Sequence, residues 1–160
     1  MNKEMVNKIE IFTGLAPAQI DELYTWVQRR DFQAGVEIIK EGNLPNGLYL
    51  LTGGKVAVLK TNEFGKIKLT EISAPSFFGE IGLLNGHART ACVRAEGAVC
   101  VGYLPKQLFD EKLAVNNLTA LRISLNIGRI LCKRLCDTST LLASTALLAA
   151  QQAKGGTAIR

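Results

Sequence analysis

Between Phe32 and Leu104 the chain is cut into short β-prone runs, VEIIK, GLYLL, KVAVLK, KIKLTEI, TACVRA and AVCVGYL. Gly35, Gly42-Asn43, Asn46-Gly47, Gly53-Gly54, Gly65, Pro75 and Gly97 separate them, all residues that end strands or form turns. Short strands with a turn signal every ~8 to 12 residues specify a β-sandwich or small barrel. On either side the rhythm becomes helical. Met5, Ile9 and Phe12 recur at helical spacing, followed by Ile20, Leu23, Tyr24 and Val27, with Pro17 suited to a first turn. After Pro105 the pattern returns around Leu108, Phe109 and Leu113, then in a proline-free run from about Leu118 to Gln151.

In that long run Leu121, Leu125, Gly128, Cys132, Leu135, Ser139, Leu142, Ala146 and Ala149 form one stripe at alternating spacings of four and three. The stripe serves either as a dimer seam or as a face packed on the β unit. A helix of roughly 50 Å outreaches so small a body, so part of it calls for another surface. Arg122, Arg129 and Lys133 fall on a different face, read as solvated, and the closing KGGTAIR reads as a frayed tail.

The totals narrow the chemistry. With 160 residues, 48% hydrophobic and 21% charged, the chain suffices for one well-buried soluble domain plus an appendage. Cys92, Cys100, Cys132 and Cys136 form no C-x-x-C pair and His87 is the single histidine, so a zinc site is poorly supplied and reduced, structural thiols are expected. Cys132 and Cys136 share a helix face, which suits metal or redox chemistry as well as it suits a packed seam. Without an evident pair of catalytic carboxylates or a histidine cluster, an enzyme is not expected. The net charge of +5 is spread along the chain and reads as solvated surface rather than a nucleic-acid footprint. MNKEMVNKIE lacks the apolar core of a signal peptide, and Thr138 to Ala153 falls short of the ~20 apolar residues of a membrane span, so a cytoplasmic protein is expected.

One stretch, FFGEIGLLNGHARTA (77–91), breaks the strand pattern by placing Glu80 and Arg89 in an apolar, glycine-rich run. Buried charges are costly unless paired or bound to something. If Pro75 and Gly79 stop a strand, Glu80 to Leu84 make one helical turn, Asn85-Gly86 reverse the chain, and a new strand starts at Arg89. A helix start inside a β unit exposes backbone N–H groups to an anion, Gly79 and Gly82 admit a ligand close to the backbone, and Arg89 offers a phosphate two parallel hydrogen bonds. Glu80 then accepts hydroxyls, so the composite target is a sugar phosphate half sunk in an apolar pocket. Alternatively, Glu80 and Arg89 form a structural ion pair or sit at a solvated rim.

The segment from Phe78 to Ala91, F-G-E-I-G-L-L-N-G-H-A-R-T-A, resembles the phosphate-binding cassette of the cyclic nucleotide-binding domain family. That family includes the bacterial catabolite activator proteins, regulatory subunits of cyclic-nucleotide-dependent kinases and nucleotide-gated channels. The resemblance runs from about Ile9 to Leu135 and takes in Glu41-Gly42 and GLYLLTGGKVAV (47–58). It implies a mainly β fold with flanking helices (α+β): an eight-stranded jelly-roll β-roll with short N-terminal helices and a long C-terminal helix. The expected parts are residues 1–115 as the β-roll with its N-terminal helices, 116–151 as a lid and dimer helix, and 152–160 as a flexible tail.

For the site, the resemblance implies that Arg89 holds the cyclic phosphate and Glu80 the ribose 2′-hydroxyl. Gly79 and backbone N–H groups around Ile81, Gly82, Thr90 and Ala91 complete the cradle, while Val58 and Leu69 line the base pocket. Cyclic AMP is the expected ligand, with cyclic GMP kept open because the Thr90 hydroxyl suits the amino group of a syn guanine. No cofactor and no metal are expected. Ala88 replaces a proline many members carry before the arginine, and Ala16 replaces a frequent serine, losing a cap worth ~0.5–2 kcal/mol. Thr138-Ser139 resembles a Thr-Ser pair that contacts adenine across the dimer in the catabolite activators, although a gap-free match puts Arg134 and Leu135 nearer the base. The expected function is a cyclic nucleotide sensor that signals through its C-terminal helix to an unknown downstream protein, as a homodimer and off the membrane. A transcription regulator fragment lacking its DNA-binding domain, or an assembly subunit with a vestigial pocket, is the alternative. The tail after the long helix is too short for a helix-turn-helix, so direct DNA binding is not expected.

Overall fold

The structure is a computed structural model and describes residues 3–155. It opens with α1 (Lys3–Asn7), a 3-10 turn (Glu10–Phe12) and α2 (Pro17–Trp26). Pro17 takes the first helical position; Gln19 Oε1 accepts the Ala16 N–H at 2.9 Å, the glutamine's half of a capping box, while the Gln19 N–H that a serine hydroxyl would accept goes to the Ala16 carbonyl at 2.9 Å. Eight strands come next: β1 (Gln28–Phe32), β2 (Glu37–Ile39), β3 (Gly47–Gly53), β4 (Lys55–Asn62), β5 (Gly65–Ser73), β6 (Ser76–Phe78), β7 (Cys92–Ala95) and β8 (Val99–Pro105). α3 (Glu80–Asn85) lies between β6 and β7, and α4 (Lys106–Ala114) and α5 (Leu118–Gly155) end the described chain.

The strands pair antiparallel into two four-stranded sheets, ordered β1-β8-β3-β6 and β2-β7-β4-β5, which is the expected eight-stranded jelly-roll. Two strands lie outside the six apolar runs. QRRDF is charged, yet pairs with β8 from Gln28↔Tyr103 to Phe32↔Val99, and SFF pairs with β3 in the short space between Pro75 and Gly79. Alternate residues of both sheets, including Tyr49, Leu51, Val56, Val93, Val99 and Val101, build the inter-sheet core. The other face of β3 is buried too, at Leu48 and Leu50, with α1 and α4 packed against the strand. Burial on both faces explains why GLYLL is a continuous apolar run instead of an alternating one.

The chain divides into two compact units, Met1–Asn126 and Ile127–Arg160. This boundary falls inside α5. The beginning of the helix is tied to the N-terminal helices: Glu22 accepts hydrogen bonds from Asn117 Nδ2 (2.7 Å) and Thr119 Oγ1 (2.6 Å), and Asn126 Nδ2 donates to the Ile11 and Thr13 carbonyls, both at 2.9 Å. Arg122, expected to be merely solvated, also donates from Nη1 to the Gly14 carbonyl at 2.8 Å. In the second unit α5 continues as helix to Gly155, so residues 152–155 of the expected tail are helical, and 156–160 lie outside the described residues. Among the described residues no helix is long and apolar enough to cross a membrane.

Candidate functional site

Gly79 enters α3 in the left-handed region (φ +86°), which a residue with a Cβ adopts only with strain, and so turns the chain sharply out of β6. α3 then presents Glu80 in its first turn, 6% exposed, with Gly82 and Leu83 also buried. Gly86 (φ +68°) closes the helix, and Lys106 Nζ donates to the Leu83 carbonyl at its far end (2.9 Å). Residues 86–91 form a loop, and β7 starts only at Cys92. Arg89 is therefore a loop residue, not the expected first residue of a strand. Its backbone pairs with the 42–43 turn instead of a strand: its N–H donates to the Asn43 carbonyl (2.8 Å) and its carbonyl accepts the Gly42 N–H (2.9 Å).

The Arg89 side chain turns inward and is only 6% exposed. Nη1 donates to the Gly79 carbonyl at 2.8 Å, and Nη2 donates to the Gly47 carbonyl at 2.6 Å and to Asn46 Oδ1 at 3.0 Å. Burial pushes the guanidinium pKa down, while the electrostatics of Tyr49, Tyr103 and Glu80 push it back up. It stays a cation. The glycines have a different first task from the one expected. A Cβ on Gly79 would lie 2.8 Å from Arg89 Nη1, and one on Gly82 would lie 3.1 Å from the same atom and 2.7 Å from Pro45 Cβ. Within the protein itself, they make room for the arginine before they make room for any ligand.

Residues 29–116 match the family described as "Cyclic nucleotide-binding domain". The chain belongs to the cyclic nucleotide-binding domain family. The match spans β1 to α4 and stops before α5. The chain is 35% identical over 82 residues to a cyclic AMP receptor protein from Thermus thermophilus, covering 51% of this chain and 38% of that one. It is 25% identical over 114 residues to the cAMP-dependent protein kinase type II regulatory subunit of Drosophila melanogaster, covering 71% of this chain and 30% of that one. Both relatives are thus much longer than the segment matched. Among solved structures, the Thermus thermophilus catabolite activator protein superposes with a TM-score of 0.75 at 28% identity, over 86% of this chain and 63% of that one.

In this cyclic nucleotide-binding domain the cassette brings Gly79, Glu80, Gly82 and Arg89 together, while Ile81 is 39% exposed, Thr90 exposed and Ala91 half-buried. Val58 is half-buried and packs against the inter-sheet core. Leu69 is 60% exposed and sits where the β4–β5 register shifts, between the pairs Val58↔Thr70 and Leu59↔Lys68. That shift is a β-bulge in the edge strand. Thr138 belongs to the second unit, is exposed, and turns its hydroxyl onto the Arg134 carbonyl at 2.7 Å.

Two residues without any site signal in the sequence organise the cassette. Asn46 Oδ1 accepts from Arg89, and also from the Tyr49 hydroxyl at 3.4 Å. Its own carbonyl accepts the Tyr103 hydroxyl (2.6 Å) and the Lys106 N–H (2.9 Å). Tyr49 stacks on Phe78 with centroids 5.1 Å apart, so Asn46 joins the arginine to the aromatic core. The Asn46-Gly47 dipeptide signals only a turn, and nothing local says that its amide serves a residue 43 positions away. Lys60 is the second. Its Nζ bonds Glu41 and the Thr90 carbonyl (2.8 Å), while Glu41 Oε2 accepts the Thr61 N–H (2.9 Å). The lysine and this backbone N–H hold the Glu41 carboxyl at about 2, well below the usual 4.5. This clamp pins the outer end of the cassette loop.

Proposed function

We propose that the chain is a cyclic nucleotide sensor module in which Arg89 takes the cyclic phosphate and Glu80 the ribose 2′-hydroxyl. The observation that carries this reading is the buried Arg89 guanidinium. Its internal acceptors are two backbone carbonyls and one neutral amide, and these bonds engage three of its five N–H groups. The others would serve the phosphate, together with backbone N–H groups around Ile81, Gly82, Thr90 and Ala91. Val58 and Leu69 would line the base pocket, with Leu69 covered on binding. Cyclic AMP is the ligand that the names of both relatives carry, and Thr90 keeps cyclic GMP as the second candidate. No cofactor is needed for binding alone. Titration calorimetry with both nucleotides tests the assignment. Arg89→Ala removes two charge-assisted hydrogen bonds of ~1.5–3 kcal/mol each, so cyclic AMP affinity is expected to fall about 100-fold or more. Unchanged affinity would overturn it.

The output reading rests on α5. Leu121, Leu125, Leu135 and Leu142 of the stripe are 43%, 54%, 68% and 70% exposed, which supports the dimer seam over the packed face. Covering them would contribute roughly 1 kcal/mol each, about 8 kcal/mol for a pair of helices, which falls within the ~4–15 kcal/mol that association costs. The dimer is therefore concentration-dependent. Thr138 and α5 would act as the lid, and ligand would shift the helix only by favouring one of its positions over another. A downstream protein would read that position, at a cytoplasmic location.

A further inference from the structure

Two successive carbonyls of the cassette loop are held by one strap. The Arg89 carbonyl accepts the Gly42 N–H at 2.9 Å, and the Thr90 carbonyl accepts Lys60 Nζ at 2.8 Å. Lys60 is ion-paired with Glu41, the neighbour of Gly42, so both holders belong to the same junction of the 41–43 turn with β4. Glu41 is itself fixed: its Oε2 accepts the Thr61 N–H at 2.9 Å, and its backbone N–H meets Cys92 Sγ at 3.4 Å. In a planar trans peptide the N–H points opposite to the C=O. Holding the Arg89 carbonyl therefore aims the Thr90 N–H, and holding the Thr90 carbonyl aims the Ala91 N–H, each away from the strap. Among the described residues neither N–H has a partner within the protein. Lys60 also polarises the peptide it binds, which makes the Ala91 N–H a stronger donor. With side chains 48% and 22% exposed, the Lys60–Glu41 pair contributes little to stability as a surface ion pair. Its geometry instead serves the loop.

We propose that Lys60 is a positioning residue for the cyclic phosphate: through the Thr90 carbonyl it aims and strengthens the Ala91 N–H as a donor to one phosphate oxygen, without touching the nucleotide. This rests on the sensor reading above, in which N–H groups around Thr90 and Ala91 bind the phosphate. Glu41 holds the lysine in place, and the Gly42 N–H does for Thr90 what Lys60 does for Ala91. Because Lys60 acts through one N–H, its effect is confined to one of the two exocyclic oxygens of a cyclic phosphate.

The test is calorimetry on the full chain with cyclic AMP and its two phosphorothioate diastereomers, each of which replaces one exocyclic oxygen by sulfur. Lys60→Met is expected to weaken cyclic AMP about 10-fold, the size of one hydrogen bond to a charged group. One diastereomer should weaken alike. The other, with sulfur where the Ala91 N–H donates, should bind wild type and variant equally, because the bond that Lys60 supports is already lost. Lys60→Arg keeps a cation for Glu41 and a donor for the Thr90 carbonyl, and should restore affinity and discrimination together. In amide NMR spectra the Ala91 signal should move on adding cyclic AMP to the wild type, and lose most of that movement in Lys60→Met. If Lys60→Met does not fold, Glu41→Gln, which frees the lysine, is read in its place, and an Ala91 amide that stays still in the wild type overturns the proposal by itself. Unchanged cyclic AMP affinity in Lys60→Met, or an equal loss for all three nucleotides, also overturns it; the sensor reading then stands if Arg89→Ala still abolishes binding. A wild-type chain that binds none of the nucleotides overturns both.

Discussion

The cassette from Gly79 to Ala91 and the second unit of α5 are opposite ways of using a short sequence. In the cassette the Arg89 main chain and side chain are each tied to another segment: the backbone to residues 42–43, the guanidinium to residues 46, 47 and 79. Along α5 beyond Asn126, large apolar side chains such as Leu135, Leu141, Leu142, Leu147 and Leu148 are 59–70% exposed. One region is over-determined by its own chain, and the other carries more apolar surface than its own chain covers. A tightly held arginine and an uncovered helix face are what the proposed sensor would use as its input and output.

The contrast can be broken most sharply at Arg89→Ala, where binding should collapse while the fold survives, as read by calorimetry beside a thermal melt. Asn46→Ala comes next. It removes the amide that links the guanidinium to Tyr49, so a loss of ~1.5–3 kcal/mol in nucleotide binding is expected, with a lower melting temperature. Gly82→Ala probes the tight fit: its Cβ would lie 2.7 Å from Pro45, and overpacking of this kind costs ~1–3 kcal/mol in stability. On the helix side, Leu135→Ala with Leu142→Ala should abolish self-association in sedimentation, yet move the melting of the first unit little, because both leucines are exposed.

The smallest effect concerns pH. The Glu41 carboxyl has its pKa lowered in the folded state, from 4.5 to about 2. The unfolded chain therefore binds more protons in that window, and the stability contributed by the clamp is full above 4.5 and lost as pH falls toward about 2. Lys60→Met should flatten the acid limb of the melting curve. An unchanged limb would separate the clamp from the cassette.

Local signals carried much of this protein. Turn residues and apolar runs announced a β-sandwich or small barrel, because turns need particular backbone conformations and half-buried strands need apolar faces. The glycines at 79 and 82, with a glutamate and an arginine in an apolar stretch, pointed to an anion site or to a structural ion pair. What lay beyond the sequence was whatever depends on long-range partners. β1 was invisible because its strand character comes from β8, not from QRRDF. Asn46 and Lys60 were invisible because a turn residue and a strand-end lysine look ordinary until folding sets them against Arg89 and Thr90. Composition and spacing thus determined that a β-sandwich or barrel stands between helical ends, since turns and apolar faces are short-range demands on the backbone, and the resemblance of residues 78–91 narrowed this to the jelly-roll. Only the tertiary structure decided that the glycines shelter the arginine and where α5 passes from one unit to the next, because those depend on which distant atoms meet.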